Sequence, residues 1–287
     1  MSCKPILLFP SSYFDKTKVD EDLEKEFQAA VETDLFEVML FGYEDWFENR
    51  KLSLKHVPSA GNQVLYRGWM MKPDVYEQFF VALKQKGFNL ITKPSNYEKL
   101  HCFPNVYPEI EEWTPRMLVY PIGTSIDIDE VKKQFPRFLV KDYVKSVKGS
   151  SFPKYFDQSI DQETFDRLMI DFYDFRGDLF TGGICFKEFI EWKQYNSKNN
   201  EYRVFIANGK IMTISENSGQ SKLCPKPPME FLENFTNLGS PFYTVDVAEL
   251  PDGSWVVIET GDGGVSGLSD NQNYFEFHRK LGIIFTE

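Results

Sequence analysis

Carboxylates gather towards the C-terminal end of the chain: Asp246 on one expected strand, Glu259 near the end of the next, and Asp262 three residues later. Oxygen donors of this kind suit Mg²⁺, which takes a few carboxylates together with water and substrate phosphates rather than an all-protein cage. Solvated strand ends would give the same composition in an acidic chain, so composition alone leaves both readings open. Opposite in sign is the run Lys141-Asp142-Tyr143-Val144-Lys145-Ser146-Val147-Lys148-Gly149-Ser150-Ser151. It reads as a strand flowing into a Gly/Ser loop, with lysines as point charges for phosphate oxygens and small residues that let backbone amides approach an anion. An ordinary solvated loop is the other reading, and neither GxxxxGK[ST] nor a GxGxxG after the first expected strand is present. Between the two clusters lie Lys187-Glu188-Phe189-Ile190-Glu191-Trp192 and Glu201-Tyr202-Arg203-Val204-Phe205. The first has an edge backbone and aromatics that could hold a flat base. The second puts Glu201 and Arg203 on one strand face, where an Arg could clamp phosphate or simply join a surface ion pair.

These groups need a scaffold, and the apolar pattern supplies one. Pro5 to Phe9, Phe36 to Phe41, Gln63 to Arg67 and Leu90 to Thr92 read as strands, with helical character over Asp20 to Glu32 and over Pro73 to Gln85, the opening of an α/β layer. A proline-punctuated stretch from Lys93 to Pro121 is the first expected boundary. From Phe138 onward strands dominate: Phe138–Val144, Gly183–Ile190, Tyr202–Ala207, Lys210–Ser215, Tyr243–Leu250 and Trp255–Thr260, with one helical stretch, Gln162 to Tyr173. Asn208-Gly209 and Pro251-Asp252-Gly253 read as hairpin turns.

The chain has 287 residues, 42% hydrophobic and 16% aromatic, enough for a sizeable core and too aromatic for a disordered segment. With 32 Lys and Arg against 43 Asp and Glu, its net charge of −11 offers no footprint for nucleic acid or an anionic membrane, so phosphate chemistry needs a local basic pocket. Cys3, Cys102, Cys185 and Cys224 lie far apart and read as reduced thiols; His56, His101 and His278 sit at no metal-ligand spacing. The apolar run at residues 6–9 is too short for a signal-peptide core or a bilayer span, so a cytoplasmic protein is expected.

Taken in order, a strand lysine, a Gly/Ser loop with a second lysine, Lys-Glu-Phe-Ile, Glu-x-Arg on a strand, then Asp and Glu on the last hairpin resemble the ATP-grasp superfamily. The likeness is closer to its divergent arginine-and-two-lysine clade, which includes the eukaryotic assembly factor for translation initiation factor two. Lys141 and Lys148, seven apart, match the two lysines, with Lys145 as an extra. Tyr66-Arg67-Gly68-Trp69-Met70 with Pro73 and Tyr76, His101-Cys102-Phe103-Pro104, and the run from Glu259 through Asp262 and Gly263-Gly264 to Leu268 look like bacterial and phage members of the clade. The resemblance thus spans nearly the whole chain. It departs at one point: the family usually has Asp/Glu-x-Asn, whereas Gly261 stands two after Glu259, and Asp262 is the candidate to take that role.

The resemblance implies an α+β protein of the ATP-grasp fold: an α/β pre-ATP-grasp domain over 1–120, then two α+β subdomains over 121–190 and 191–287 clamping ATP. It implies ATP contacts from Lys141, Lys145, Lys148, Lys187, Glu188, Phe189, Ile190, Glu201 and Arg203, and Mg²⁺ held by Asp246, Glu259 and Asp262. Catalytic roles fall to Arg203, Lys148 and Arg67, the last either gripping a carboxylate on the acceptor side or making a domain-interface ion pair. The implied activity is an ATP- and Mg²⁺-dependent carboxylate–amine ligase acting through an acyl phosphate on a protein, peptide or small molecule. An ATP-loaded assembly chaperone without turnover is the alternative, and nucleotidyl transfer to a polynucleotide a weaker third, disfavoured by the net charge.

Overall fold

The computed structural model of the chain describes residues 4–54, 63–147, 152–221 and 224–286. The first apolar runs form a parallel sheet. β1 (Ile6–Pro10), buried throughout, pairs with β2 (Glu37–Phe41) and β3 (Gln63–Tyr66), and β3 with β4 (Asn89–Leu90). Parallel neighbours need crossovers. α1 (Glu24–Glu32) lies between β1 and β2, the short α2 (Tyr43–Phe47) follows β2, and α3 (Pro73–Gln85) leads from β3 to β4. α3 starts on a proline, whose missing N–H costs nothing in the first turn, and buries Val75, Tyr76, Phe79 and Leu83.

The proline-punctuated stretch is not an open linker. It folds into α4 (Pro94–His101) and α5 (Phe103–Ile110), because Pro94 and Pro104 fall in first turns, where a helix tolerates them. Leu100, Phe103, Val106 and Ile110 pack on the C-terminal sheet.

The second sheet, ordered β5-β8-β6-β7, is antiparallel: β5 (Met117–Pro121), β6 (Arg137–Asp142), β7 (Phe156–Asp157) and β8 (Gly183–Glu188). β5 straddles the boundary expected at residue 120 and pairs with β8. α6 (Ile128–Gln134) and α7 (Gln162–Arg176) bury Ile128, Val131, Phe165 and Phe172 against this sheet.

A small hairpin of β9 (Gln194–Tyr195) and β10 (Lys198–Asn199) leads into the third sheet, ordered β12-β11-β13-β14. Its strands are β11 (Glu201–Ala207), β12 (Lys210–Glu216), β13 (Phe242–Glu249) and β14 (Trp255–Asp262). Asn208 and Gly209, at φ 45° and 73°, close the β11–β12 hairpin, as the Asn-Gly pair predicts. α8 (Met229–Glu233) precedes β13. α9 (Tyr274–Thr286), absent from the sequence reading, carries Phe277 and Leu281 back to the first sheet, so Leu7, Phe9 and Leu65 share a core with Phe205 and Phe242. Among the described residues no helix is long and apolar enough to cross a membrane.

Candidate active site

The cleft lies between the second and third sheets. On the third sheet, register places Arg203 opposite Asp246 and Asp246 opposite Glu259, so one row of side chains crosses three strands. Arg203 grips Asp246 bidentately, Nε to Oδ1 at 2.8 Å and Nη2 to Oδ2 at 2.6 Å, and its Nη1 donates to the Gly267 carbonyl at 2.9 Å. From the second sheet, Lys141 reaches Glu259, Nζ to Oε1 at 2.5 Å. Beyond Asp246 the ladder slips, with Val247 opposite Val257 and Ile258 left over as a bulge residue. The Ile258 carbonyl accepts from Lys187 Nζ at 2.5 Å. Phe103, at the start of α5, sits beneath both lysines, its ring 4.1 Å from Lys187 Nζ and 5.6 Å from Lys141 Nζ.

The electrostatics follow from this crowding. Burial raises the Glu259 carboxyl, but Lys141, Lys145 and Lys187 outweigh it and hold the group at about 2. Burial works against the Lys141 ammonium, yet Glu259 carries it above its ordinary value. Lys187 lacks so close a carboxylate, and burial together with Lys141 lowers it to about 7. Lys145 is lowered by burial against the pull of Glu259. An acidic chain thus concentrates Lys141, Lys145, Lys187 and Arg203 around Asp246 and Glu259, the local basic pocket that phosphate chemistry requires.

Two cavities open on this row. One of about 590 Å³ runs between the sheets, lined by Lys141, Lys187, Trp192, Glu201 and Glu259 among others. The other, about 300 Å³, lies over the third sheet and is lined by Lys145, Glu201, Arg203, Asp246, Glu259 and the residue 267–269 loop.

Several expected residues lie elsewhere. Glu188 is engaged by Arg116, Phe189 lies tilted against Tyr155 with the Arg137 guanidinium over its ring, and neither they nor half-buried Ile190 line these cavities. Lys148, with Gly149 to Ser151, lies outside the described residues, as do Cys3 and His56. Asp262 does not join Asp246 and Glu259. Three residues from Glu259, it falls on the opposite strand face, where its Oδ1 accepts from Gly264 N at 2.8 Å and burial pushes the carboxyl up to about 7. Among the described residues no three His, Cys, Asp or Glu side chains are grouped to hold a metal. Arg67 makes the contacts of the interface ion-pair reading: 2% exposed, it grips Glu26 (Nε to Oε1 2.5 Å, Nη2 to Oε2 2.9 Å), and its Nη1 donates to the carbonyls of Gly263 and Ser266.

Sequence reasoning missed Asp142 and Arg176. Asp142, fully buried, accepts from Arg176 Nε at 2.7 Å and from the backbone N–H groups of Val144 and Lys145 at 2.7 and 2.6 Å. That turn aims Lys145 at the cleft. An Asp two residues before a tight turn was the available signal.

A family model described as an ATP-grasp domain, the third family of its clade, matches residues 129–281, just over half of the chain. No curated protein matches the sequence. Among solved structures the chain is similar to the ATP-grasp ligase PsnB complexed with a phosphomimetic variant of minimal precursor, Mg and ADP. The identity is 9%, the TM-score 0.62, and 100% of this chain and 98% of that one are covered. It is similar also to D-cycloserine synthetase DcsG, at 14% identity and TM-score 0.60 over 97% and 99% of the two chains. D-alanine–D-alanine ligase from Bacillus anthracis, complexed with ATP, is a third, at 14% and 0.57 over 99% and 96%. At such identities these likenesses bear on the fold.

Proposed function

The chain belongs to this ATP-grasp family, and from that membership and the cleft we propose that it is an ATP- and Mg²⁺-dependent carboxylate–amine ligase working through an acyl phosphate. The observation that carries the reading is the row Arg203–Asp246–Glu259–Lys141, in which two adjacent carboxylates on the cleft floor are flanked by a cation at each end. Two adjacent carboxylates facing a cationic cavity fit Mg²⁺ carried in with phosphates, since this ion takes one or two carboxylates and completes its shell with substrate oxygens and water. Asp246 and Glu259 would hold it, and bound there it would supply charge neutralisation across the phosphate chain.

This chain's own groups do the rest. Lys141, Lys145, Lys187 and Arg203 neutralise the triphosphate, with Lys141, Lys187 and Arg203 exchanging their present carboxylate and carbonyl partners for phosphate oxygens. A substrate carboxylate oxygen bonds to the γ-phosphorus as the bond to the β-bridging oxygen breaks, and ADP leaves with that electron pair. An amine then forms the C–N bond as the acyl carbon–oxygen bond breaks, and one N–H proton leaves with the phosphate. Orientation and preorganised charge supply most of the acceleration.

The test is ATP turnover by the purified protein with Mg²⁺, following ADP and AMP separately, with and without amino acids and cell extract, beside Lys141→Ala and Asp246→Ala. ADP and phosphate that depend on an added acceptor and vanish in both variants support the ligase. AMP and pyrophosphate would overturn it in favour of adenylyl transfer, and tight ATP binding without turnover would favour the assembly-chaperone reading.

A further inference from the structure

His101, at the end of α4, belongs to a motif that the nucleotide site leaves unused. It is 7% exposed, and that exposure opens onto a cavity rather than onto the outer surface. Its ring is held. It stacks on Tyr97 at 4.8 Å, Tyr97 stacks on Tyr76 at 3.8 Å, and the Tyr97 hydroxyl is tied to both backbone groups of Met71, at 2.9 Å from N and 2.7 Å from O. Thr260 Oγ1 donates to the Leu100 carbonyl at 2.9 Å and pins the end of α4 to β14. The imidazole lines a third, small pocket of about 60 Å³ together with Lys145, Arg203, Thr244, Glu259 and Ser266. This pocket shares Lys145, Arg203, Asp246, Glu259 and Gly267 with the 300 Å³ cavity, so the two meet over the Arg203–Asp246–Glu259 row.

The small pocket has room for a few water-sized groups and no side chain. Its polar lining is mixed: the hydroxyls of Thr244 and Ser266 lie 2.8 Å apart, and burial, followed by Lys145, holds the imidazole neutral, at about 3. A neutral imidazole keeps one nitrogen as an acceptor. The adjoining cavity is lined also by Glu201 and Glu216 with Asn217 and Ser218, whose carboxylates favour an amine-bearing body.

We propose that this pocket receives the reacting amino group of the acceptor, and that the His101 imidazole accepts a hydrogen bond from its N–H. The inference rests on the ligase reading and adds to it the acceptor subsite and a residue supplied from outside the nucleotide clamp.

The chain has three histidines, so [¹⁵N]histidine labelling gives three imidazoles, and His101→Gln identifies the one in question. With Mg²⁺ and AMPPNP bound, titration with glycinamide should shift the His101 nitrogens saturably and leave those of His278 still. His101→Phe keeps the stack but removes the acceptor, and His101→Gln restores an acceptor oxygen. Acceptor-dependent ADP formation should fall about tenfold or more in the first and recover partly in the second, with AMPPNP affinity and melting temperature unchanged in both. Failure of AMPPNP to bind would overturn the ligase reading and this inference together. Nucleotide binding with a His101 signal indifferent to glycinamide, or equal losses in the two variants, would overturn this inference alone.

Discussion

Lys141 on β6 and Glu259 on β14 join the second and third sheets at the floor of the cleft, Nζ to Oε1 at 2.5 Å. The lysine is 7% exposed and the carboxylate 29%, so the pair is shielded from solvent while still facing the cavities. Arg203 and Asp246 repeat the arrangement one strand away. The site neutralises itself, so on the proposed function a nucleotide would enter by exchanging partners rather than by meeting bare charges.

Lys141→Met should therefore injure both binding and stability. Glu259 would keep only the more distant Lys145 and Lys187, and leaving one partner of a buried pair uncompensated costs about 3 kcal/mol. Urea denaturation should show that loss, and calorimetry a fall in ATP affinity of about tenfold or more. A Lys141→Met/Glu259→Gln double variant should lose less stability than the two single effects together, since the pair is then removed as a unit.

Acid should weaken the fold through the buried group beside α9. Burial raises Glu26, but Arg67 and His278 bring it to about 2, so the stability it contributes is present above its ordinary value of 4.5 and lost as pH falls towards about 2. His278 is lowered by burial against the pull of Glu26, so it stabilises fully above 6.5 and loses that contribution as pH falls below it. Both slopes have the same sign. The urea midpoint should drop between pH 7 and pH 3; His278→Gln should flatten the upper part of that decline and Glu26→Gln the part below pH 4.5.

Asp262 slopes the other way. Burial raises it to about 7 against the Gly264 amide and Arg67, so its folded state favours the proton and its contribution is lost as pH rises from 3.8 to about 7. Asp262→Asn should be the more stable protein at pH 8 by on the order of 1 kcal/mol. Mg²⁺-dependent nucleotide binding should survive in Asp262→Asn and fail in Asp246→Asn, which separates a buried structural carboxyl from a metal ligand.

The architecture was largely legible because it rests on local signals. Alternating apolar residues marked β11 and β13, Asn208-Gly209 marked their hairpin neighbour, and Pro73 marked the start of α3. Register across strands is a tertiary property: Arg203 and Asp246 lie 43 residues apart, and only pairing puts them in one row. The bulge at Ile258, which hands a carbonyl to Lys187, leaves no mark in residue type. Asp262 shows the opposite error, since nearness in sequence to Glu259 suggested a shared site and strand alternation put it on the other face. Pro94 and Pro104 read as breaks because a proline looks alike in a loop and in a helix's first turn, and Pro108, inside α5, is the kind of proline that argues against a helix at all.

Arg67 tests how the first sheet is fastened to the third. Its guanidinium lies 5.9 Å from the Phe205 ring and 5.5 Å from the Phe277 ring, bidentate to Glu26, with Nη1 on the Gly263 and Ser266 carbonyls. The next residue, Gly267, supplies the carbonyl that Arg203 holds, so the loop links the lock to the site. A lysine is a point charge that cannot reproduce the planar fork. Arg67→Lys should cost about 2 kcal/mol by loss of hydrogen bonds to a charged group, and Arg67→Met about 3–5 kcal/mol, because Glu26 is left buried and unpaired. Nucleotide affinity should change far less than in Lys141→Met, since Arg203 keeps both bonds to Asp246. Unchanged stability with a lost response to the acceptor would instead return Arg67 to the substrate side of the site.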